Sequence, residues 1–524
     1  MNRMLGVMID CSRNAVMKPD VVKEYAALIK KMGYNTLLLY TEDTYEIPQR
    51  PYFGHLRGKY TKEELKDIDS YCNEIGIELV ACIQTLAHLE NMFRWTDEFD
   101  SINDCDDILL CDDENTYALI DDMLKTVSEC FTSTRVHIGM DEAVRVGLGK
   151  YLKNHKFGDR FDIINRHLHR VCEIAEKYNI EPMIWSDMFC QLALGVDNQY
   201  DEADCEKILE KAKLPKNISL VYWDYYSEDV EHYKKMIQTN KMFNRPVYFA
   251  GGAWTWAGFA PDNEFSINAT KAAFSACNEE GVDGIFITLW GDNGSECSKF
   301  AVLPTLLYAA EAAHGNTDIN SIKEKFYKIT GYNFDDFMLL DKISIKNERH
   351  SRFSSKYLLY NDIFLGIRDA MCKNEDNLYY AELAKKISEV NKAGKYEYMF
   401  KTYEKLSEVL SIKAALGANI HAAYKKGDTD ELKRLVYECE KLENLLKEFH
   451  TLHQKRWFAE NKPHGFDVQD IRIGGLLLRI ASCKNRLAEY IKNPAVSIPE
   501  LDEPILTKDA GKYKWNLIAS INNI

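Results

Sequence analysis

The chain has 524 residues, and because 81 Asp and Glu outnumber 66 Lys and Arg, its formal net charge is −15 at pH 7. Hydrophobic residues make up 46% of the chain, which excludes a disordered protein and allows about two to four domains of ordinary size. An acidic protein repels a phosphate backbone, so no nucleic-acid partner is expected.

Cysteine usage and the N-terminal segment favour a cytoplasmic protein. The 14 Cys residues form no CxxC pair and show no zinc-ligand spacing, which is typical of reduced and mostly buried thiols. The first apolar run, Leu5–Asp10, is short and ends in an acid, as expected of a strand rather than a signal peptide. No stretch approaches the ~18 uninterrupted apolar residues of a membrane span, so no membrane partner is expected.

Eight apolar runs alternate with amphipathic segments in the first part of the chain. The runs are Leu5–Asp10, Thr36–Tyr40, Glu78–Gln84, Arg135–Asp141, Pro182–Asp187, Ser219–Asp224, Pro246–Ala250 and Gly284–Trp290. Helices are predicted at Pro19–Met32, Thr61–Ile75, Glu114–Cys130, Arg160–Tyr178, Cys205–Ala212, Val230–Asn240, Ser266–Glu280 and Phe300–His314. Continuous apolar runs are typical of buried parallel strands, so the repeats predict a (β/α)8 TIM barrel, with a doubly wound open sheet as the alternative.

The distribution of proline predicts a second domain. No proline occurs from Thr305 through Lys462, and proline is the residue that most strongly interrupts helices. Apolar residues at three-and-four spacing predict helices at Asn377–Lys392, Tyr396–Lys426, Thr429–Glu460 and Val468–Lys492. We therefore predict a catalytic barrel over residues 1–315 and an all-α helical C-terminal domain over residues 316–524.

Carboxylates and tryptophans recur at the predicted strand ends. In a (β/α)8 barrel the active site lies at the C-terminal ends of the strands. Five of the eight Trp residues lie there, namely Trp185, Trp223, Trp254, Trp256 and Trp290. Sugar rings offer apolar faces that stack on indoles and hydroxyls that carboxylates bind, so this pattern predicts a carbohydrate site.

The segment Val136–Ala143 (VHIGMDEA) ends an apolar run in two adjacent carboxylates, Asp141 and Glu142. Like charges at this distance repel each other, which raises the pKa of at least one of them. A raised pKa leaves a proton donor at neutral pH, as glycoside cleavage requires. The alternative is a solvated acidic pair that opens a loop.

The residues HIGMDE, His137 to Glu142, resemble the His-x-Gly-x-Asp-Glu motif of family 20 glycoside hydrolases, the β-N-acetylhexosaminidases. The resemblance covers the barrel, about Met4 to Gly315, and a barrel followed by a helical domain is similar to a short bacterial type of this family. It implies a substrate-assisted mechanism, in which the acetamido oxygen of the sugar attacks its own anomeric carbon. By this resemblance Glu142 is the general acid and then the base, and Asp141 orients the acetamido group.

The resemblance also implies a set of substrate-binding residues. Arg13 matches the family's Asp-x-x-Arg after the first strand and would hold sugar hydroxyls, for which a guanidinium is suited. Three tryptophans would form the walls of the pocket, namely Trp185, Trp254 and Trp290. Asp292, after strand eight, would contact the outer hydroxyls, and Glu296 is a weaker candidate for that contact.

Two positions after the middle strands remain open. Tyr222 and Asp224 fit the family's Tyr-x-Asp, but Tyr225 could supply the phenol instead, because sequence does not fix which face of a strand points inward. His88 stands in Leu86-Ala87-His88 where the family has Pro-Gly-His, and Glu42-Asp43 stands where it often has Asp-Asp. A Glu42–His88 pair could support the acid.

The resulting hypothesis is an exo-acting β-N-acetylhexosaminidase that removes terminal GlcNAc or GalNAc from glycans, without a cofactor or a metal. The alternatives are a retaining glycosidase that uses Asp141 or Glu142 as a nucleophile, and a non-catalytic sugar-binding barrel.

A last feature is the segment Trp457–Gly475, which carries more aromatic residues than an ordinary helix–helix turn needs. We expect it to meet a barrel rim, either its own or that of a second subunit in a homodimer. His464 or Glu460 would then contact the leaving group or the outer sugar hydroxyls. The alternative is a simple turn between helices.

Overall fold

The computed structural model describes residues 3–194, 211–390 and 394–506. The strands in these ranges are β1 Met4–Asp10, β2 Thr36–Glu42, β3 Glu78–Ile83, β4 Asn103–Cys105, β5 Ile108–Leu109, β6 Arg135–His137, β7 Glu181–Trp185, β8 Ser219–Trp223, β9 Val247–Gly252 and β10 Gly284–Leu289. Eight of them pair in parallel and close in the order β1-β10-β9-β8-β7-β6-β3-β2, whereas β4 and β5 form a small antiparallel hairpin. The predicted (β/α)8 barrel is confirmed.

Apolar side chains fill the interior of the barrel. Met4 and Met8 of β1, Leu38 of β2, Val80 of β3 and Phe286 of β10 belong to one buried cluster there. Helices cover the outer face, so every residue of β1, β2 and β10 is buried. Burial on both faces explains why these strands read as continuous apolar runs in the sequence.

The strand that carries the motif is shorter than the sequence predicts. The apolar run Arg135–Asp141 continues to the acid pair, but β6 ends at His137. Gly139 and Met140 follow with φ of +74° and +72°, in the left-handed region, which a strand cannot accommodate. At Gly139 a side chain is also excluded, because a Cβ there would lie 2.0 Å from Gln84 Oε1. The chain therefore turns inside the motif.

The helices of the barrel region are Pro19–Met32, Lys62–Glu74, Glu90–Phe93, Thr96–Phe99, Glu114–Cys130, Lys150–Asn154, Arg160–Lys177, Asp187–Leu194, Val230–Lys241, Asn263–Glu280 and Leu303–Ala313. The helices that follow are Ile319–Thr330, Phe334–Met338, Ser354–Tyr360, Asn374–Glu389, Glu397–Lys413, Leu416–Lys426, Thr429–Glu460, Phe466–Lys492 and Pro499–Asp502. The predicted helix Cys205–Ala212 lies outside the described residues except for its last two. Among the helices described, none is both long and apolar enough to cross a membrane.

The C-terminal region is helical, as predicted, but one predicted helix is divided. Tyr396–Lys426 forms two helices that meet at Ala414 and Ala415. The N–H of Ala415 bonds to Asn377 Oδ1 of a neighbouring helix at 2.9 Å, instead of to a carbonyl of its own helix. That side-chain bond breaks the helical ladder. The predicted domain boundary at residue 315 stays a prediction.

A buried ionic cluster joins the helical region to the loop after β10. The Glu296 side chain is 1% exposed, and its carboxylate lies 2.9 Å from Lys356 Nζ and 2.5 Å from Arg472 Nη1. Both cations also donate to the backbone carbonyl of Asn293, at 2.6 and 2.7 Å. Glu296 is therefore fully engaged with these cations, which corrects the expectation that it reaches sugar hydroxyls.

The segment Trp457–Gly475 meets the rim of its own barrel. Asn461 forms a bridge with Met17 in the loop after β1. The Glu460 side chain, which we expected near the sugar, is instead buried and accepts a hydrogen bond of 2.6 Å from Ser298 Oγ. This corrects the expectation for Glu460, because its carboxylate holds the loop after β10.

We expect Arg472→Met to lower the free energy of unfolding by about 3–5 kcal/mol, because it removes one partner of a buried ion pair. Arg434 is the matched control, since it pairs with Glu431 on the surface with side chains that are 53% and 37% exposed. Arg434→Met should cost less than about 1 kcal/mol. Urea unfolding followed by circular dichroism measures both, and equal losses would contradict the importance of the cluster.

Candidate active site

Asp141 is held at the mouth of the barrel by two side chains from the loop after β3. Gln84 Nε2 donates to Asp141 Oδ1 at 2.7 Å, and His88 Nε2 lies 3.2 Å from Asp141 Oδ2. Burial alone would raise the pKa of Asp141, but the positive His88 and the Gln84 bond outweigh it and lower the pKa to about 2. Asp141 is therefore ionised at neutral pH and fixed in direction.

Glu142 has the opposite character. Its side chain is 55% exposed at the pocket mouth, where its Oε2 lies 3.6 Å from His88 Nε2. Partial burial and the neighbouring charge of Asp141 raise the pKa of Glu142. The backbone of Glu142 is left-handed, with φ of +53°, and its N–H donates to Asp187 Oδ2 at 3.0 Å. One carboxyl of the pair is thus poised as an anion and the other as a proton donor.

His88 connects the two carboxylates. Its backbone N–H donates to Asp107 Oδ2 at 2.8 Å, which fixes the left-handed turn at His88. Burial would lower the pKa of His88, but the contact with Asp141 raises it to about 10. The expected Glu42–His88 contact is replaced, because Glu42 Oε1 lies 3.5 Å from Arg13 Nη1.

Arg13 reaches into the pocket from the loop after β1. Its guanidinium contacts three carboxylates, at 3.5 Å from Glu42, 3.6 Å from Asp10 and 3.9 Å from Asp292. It also lies over the ring of Trp290, 4.9 Å from the centroid. Burial and the surrounding carboxylates raise the pKa of Glu42 to about 7 even though Arg13 opposes this. The arrangement offers a fixed cation beside several hydrogen-bond acceptors.

Aromatic rings form the walls of the pocket. The lining residues are Arg13, His88, Asp141, Glu142, Trp185, Trp223, Tyr225, Tyr226, Trp256, Trp290 and Asp292. Trp290 Nε1 donates to Tyr225 Oη at 3.0 Å, and Trp223 stacks on Tyr225 at 5.2 Å between centroids. The rings are therefore locked to one another before any ligand arrives.

The structure resolves the ambiguity after strand six. Tyr222 points away from the pocket, where its hydroxyl donates to Asp224 Oδ2 at 2.9 Å and its ring packs on Phe249. Asp224 is 1% exposed and lies 2.7 Å from His232. The expectation that Tyr222 and Asp224 bind substrate is corrected, because both belong to a buried network behind the wall. Tyr225 is the phenol that lines the pocket.

Two further predicted residues lie outside the pocket lining. Trp254 stacks behind Trp256 at 4.5 Å, so Trp256 forms the wall in its place. His464 is exposed and lies against the loop after β2, where a Cβ on Gly58 would come 2.9 Å from its Nδ1. The expectations that Trp254 and His464 touch the sugar are corrected accordingly.

The structure gathers the remaining predicted residues in one pocket, namely Arg13, His88, Asp141, Glu142, Trp185, Tyr225, Trp290 and Asp292. Sequence reasoning counted Trp223 and Trp256 among the tryptophans at the strand ends but gave them no individual contact, and it gave no role to Tyr226 or Asp187. Asp187 does lie at a predicted strand end, which is the signal that could have found it. Chemically, the pocket can stack an apolar ring face, bind hydroxyls and deliver a proton from Glu142 next to a fixed anion.

The chain matches two family models. Residues 5–313 match "Glycosyl hydrolase family 20, catalytic domain", and residues 335–516 match "Glycoside Hydrolase 20C C-terminal domain". The chain is 23% identical to Hexosaminidase D of Bos taurus over 269 residues, which are 49% of this chain and 71% of that protein. It is 24% identical to Hexosaminidase D of Homo sapiens over 261 residues, 47% of this chain and 50% of that protein. The chain thus spans about half the length of the human relative.

The chain is also similar to solved structures. The GH20 exo β-N-acetylglucosaminidase from Vibrio harveyi, crystallised with N-acetylglucosamine, has a TM-score of 0.48 and 16% identity over 64% of this chain and 58% of that chain.

We expect the His88 imidazole to carry a positive charge at pH 8, where an ordinary histidine with a pKa near ~6.5 is neutral. The reason is its pKa of about 10 beside Asp141. NMR titration of the ring nitrogens between about pH 5 and pH 11 measures this, with His88→Gln to identify the signal. His167 provides the internal contrast, because burial lowers its pKa to about 4. A His88 midpoint near 6.5 would contradict the ion pair.

Proposed function

The chain belongs to glycoside hydrolase family 20, since that family's catalytic-domain model matches residues 5–313, and we propose that it is an exo-acting β-N-acetylhexosaminidase. It removes terminal GlcNAc or GalNAc residues from glycans with retention of configuration. The family predicted from the HIGMDE motif is confirmed by the matching model. The observation that carries the proposed activity is the Asp141–Glu142 pair, whose pKa values shift in opposite directions within a pocket walled by tryptophan.

The proposed reaction has two steps. In the first, the acetamido oxygen of the bound sugar attacks the anomeric carbon, the glycosidic C–O bond breaks, and Glu142 gives its proton to the departing oxygen. Asp141, ionised and held by Gln84 and His88, accepts the acetamido N–H and stabilises the positive oxazolinium-type intermediate. In the second, Glu142 takes a proton from water, the water oxygen bonds to the same carbon, and the bond from that carbon to the acetamido oxygen breaks, which restores the acetamido group and releases the sugar.

The other pocket residues have binding roles in this proposal. Arg13 and Asp292 hydrogen-bond the outer hydroxyls of the sugar, since both line the pocket and their side chains lie 3.9 Å apart. Tyr225 and the indoles of Trp185 and Trp290 enclose the ring and the acetamido methyl. The alternatives are a glycosidase with a carboxylate nucleophile and a sugar-binding protein without activity. The next two experiments distinguish both from the proposed function.

We expect Glu142→Gln to reduce kcat by about 10²–10⁴-fold on substrates with poor leaving groups, because general acid catalysis is lost. Substrates with good leaving groups should suffer less. Asp141→Ala should impair every acetamido substrate regardless of its leaving group. Steady-state kinetics on dinitrophenyl GlcNAc, which has a good leaving group, and on phenyl GlcNAc, which has a poor one, measure both effects. Near-normal rates for Asp141→Ala would sink the substrate-assisted mechanism, and wild-type inactivity on all of these substrates would favour the sugar-binding alternative.

We expect the wild-type protein to discriminate strongly against the plain nitrophenyl β-glucoside. A pocket built around an acetamido group leaves buried polar partners unpaired when that group is missing, which costs about 10⁴-fold or more in kcat/KM at comparable sites. A thiazoline mimic of the cyclised intermediate should inhibit competitively. Efficient hydrolysis of the glucoside, with no thiazoline inhibition, would instead identify a carboxylate nucleophile.

We also propose that the protein is a cytoplasmic homodimer. The twelve cysteines of the described residues are free thiols, and eleven of them are buried, which suits a reducing compartment. For the dimer, the helix Phe466–Lys492 presents Ile471 and Leu478 one heptad apart, 73% and 71% exposed, on its outer face. Two exposed apolar side chains on one face of a helix suit a two-fold contact between copies of the chain.

A further inference from the structure

Asp187 lies directly behind the proposed proton donor. It is the first residue of the helix Asp187–Leu194, which follows β7, and it is only 6% exposed. Its Oδ2 accepts the backbone N–H of Glu142 at 3.0 Å. Its carboxyl also interacts with the Trp223 side chain, which is part of the pocket wall. Asp187 itself does not line the pocket, so it reaches the chemistry through Glu142.

The backbone of Glu142 needs such a support. Glu142 has φ of +53°, in the left-handed region that is unfavourable for a residue with a side chain. Strand pairing does not reach Glu142: β6 ends at His137, and the backbone bonds to β7 extend only to Gly139, whose carbonyl accepts the N–H of Trp185 at 3.3 Å. The bond from Asp187 is therefore the side-chain contact that fixes the peptide of Glu142.

Asp141 is held differently, although it is the adjacent residue. Its carboxylate is bonded by Gln84 and paired with His88, both from the loop after β3. Loss of Asp187 should thus release Glu142 while Asp141 keeps its own two partners. The two halves of the proposed mechanism are anchored to different strands, and this makes them separable by mutation.

We propose that Asp187 is a positioning residue that holds the backbone of Glu142 so that its carboxyl points at the glycosidic oxygen. The inference rests on the proposed function, because it assigns Asp187 to the step in which Glu142 donates a proton. A carboxyl that accepts a backbone N–H does not need a charge for this task, so an amide oxygen at the same position should serve as well.

The test compares Asp187→Ala with Asp187→Asn on two GlcNAc substrates, one with the acidic dinitrophenyl leaving group and one with the poor leaving group of an unsubstituted phenyl glycoside. Asp187→Ala should lower kcat on the poor leaving group by about 10–100-fold and on the dinitrophenyl substrate by less than about threefold. Asp187→Asn should restore most of the loss on the poor leaving group. A merely structural defect would lower both substrates equally.

A double mutant separates action through Glu142 from any other effect. In a Glu142→Gln background the additional Asp187→Ala substitution should change kcat by less than about twofold, because the group that Asp187 positions is already disabled. If Asp187→Ala lowers kcat in that background as much as in the wild type, the proposal is overturned. The same holds if the loss is independent of the leaving group.

Asp341 is the matched control for burial of an acid. It is 1% exposed, and its Oδ2 accepts the backbone N–H of Glu264 at 2.8 Å, remote from the pocket lining. Asp341→Ala should lower the melting temperature without changing the ratio of the two rates. If Asp187→Ala fails to fold, Asp187→Asn and Asp187→Ser are compared instead at a lower assay temperature. A wild-type ratio of the rates on the two substrates for Asp187→Ser would overturn the proposal. Wild-type inactivity on both substrates would instead refute the proposed function.

Discussion

The ion pair between His88 and Asp141 is the interaction on which the chemistry of the pocket depends. Two adjacent carboxylates repel each other when both are ionised, so without another charge neither would be fixed as the anion or as the proton donor. The cation at His88 resolves this by favouring the charge on Asp141, 3.2 Å away, and the charge of Asp141 in turn raises the pKa of Glu142. His88 is itself made cationic by the carboxylate it serves, so each partner maintains the charge of the other.

The remaining geometry follows from keeping this pair in place. Asp107 fixes the peptide of His88, Gln84 fixes Asp141, and Asp187 fixes the peptide of Glu142. These supports come from two connections, the one after β3, which includes the β4–β5 hairpin, and the one after β7. A closed parallel barrel brings both to one end because all of its strands run in the same direction. The aromatic walls are also held by contacts with one another, since Trp290 Nε1 donates a hydrogen bond to Tyr225 Oη. A pocket with so many internal bonds is pre-organised, and little rearrangement is needed on binding.

The sequence predicted those features that depend on local pattern. Continuous apolar runs predicted the barrel, the absence of proline predicted the helical region, and the motif located Asp141 and Glu142. What it could not predict depends on direction and on partners distant in the chain. Tyr222 and Tyr225 are equally plausible phenols until the end of β8 is known. In the same way, the sequence does not show which of Trp254 and Trp256 faces the pocket after β9. The role of Glu296 depends on Arg472, 176 residues later, whose approach no local pattern encodes.

The cluster around Glu296 has a consequence for how the chain can be divided into separately encoded parts. The loop after β10 carries Asp292, and its backbone carbonyl at Asn293 is bonded by Lys356 and Arg472 from the helical region. A gene fragment that encoded the barrel alone would contain every residue of the pocket lining but lack the donors that shape one edge of it. The barrel and the helical region therefore depend on each other at this edge of the pocket.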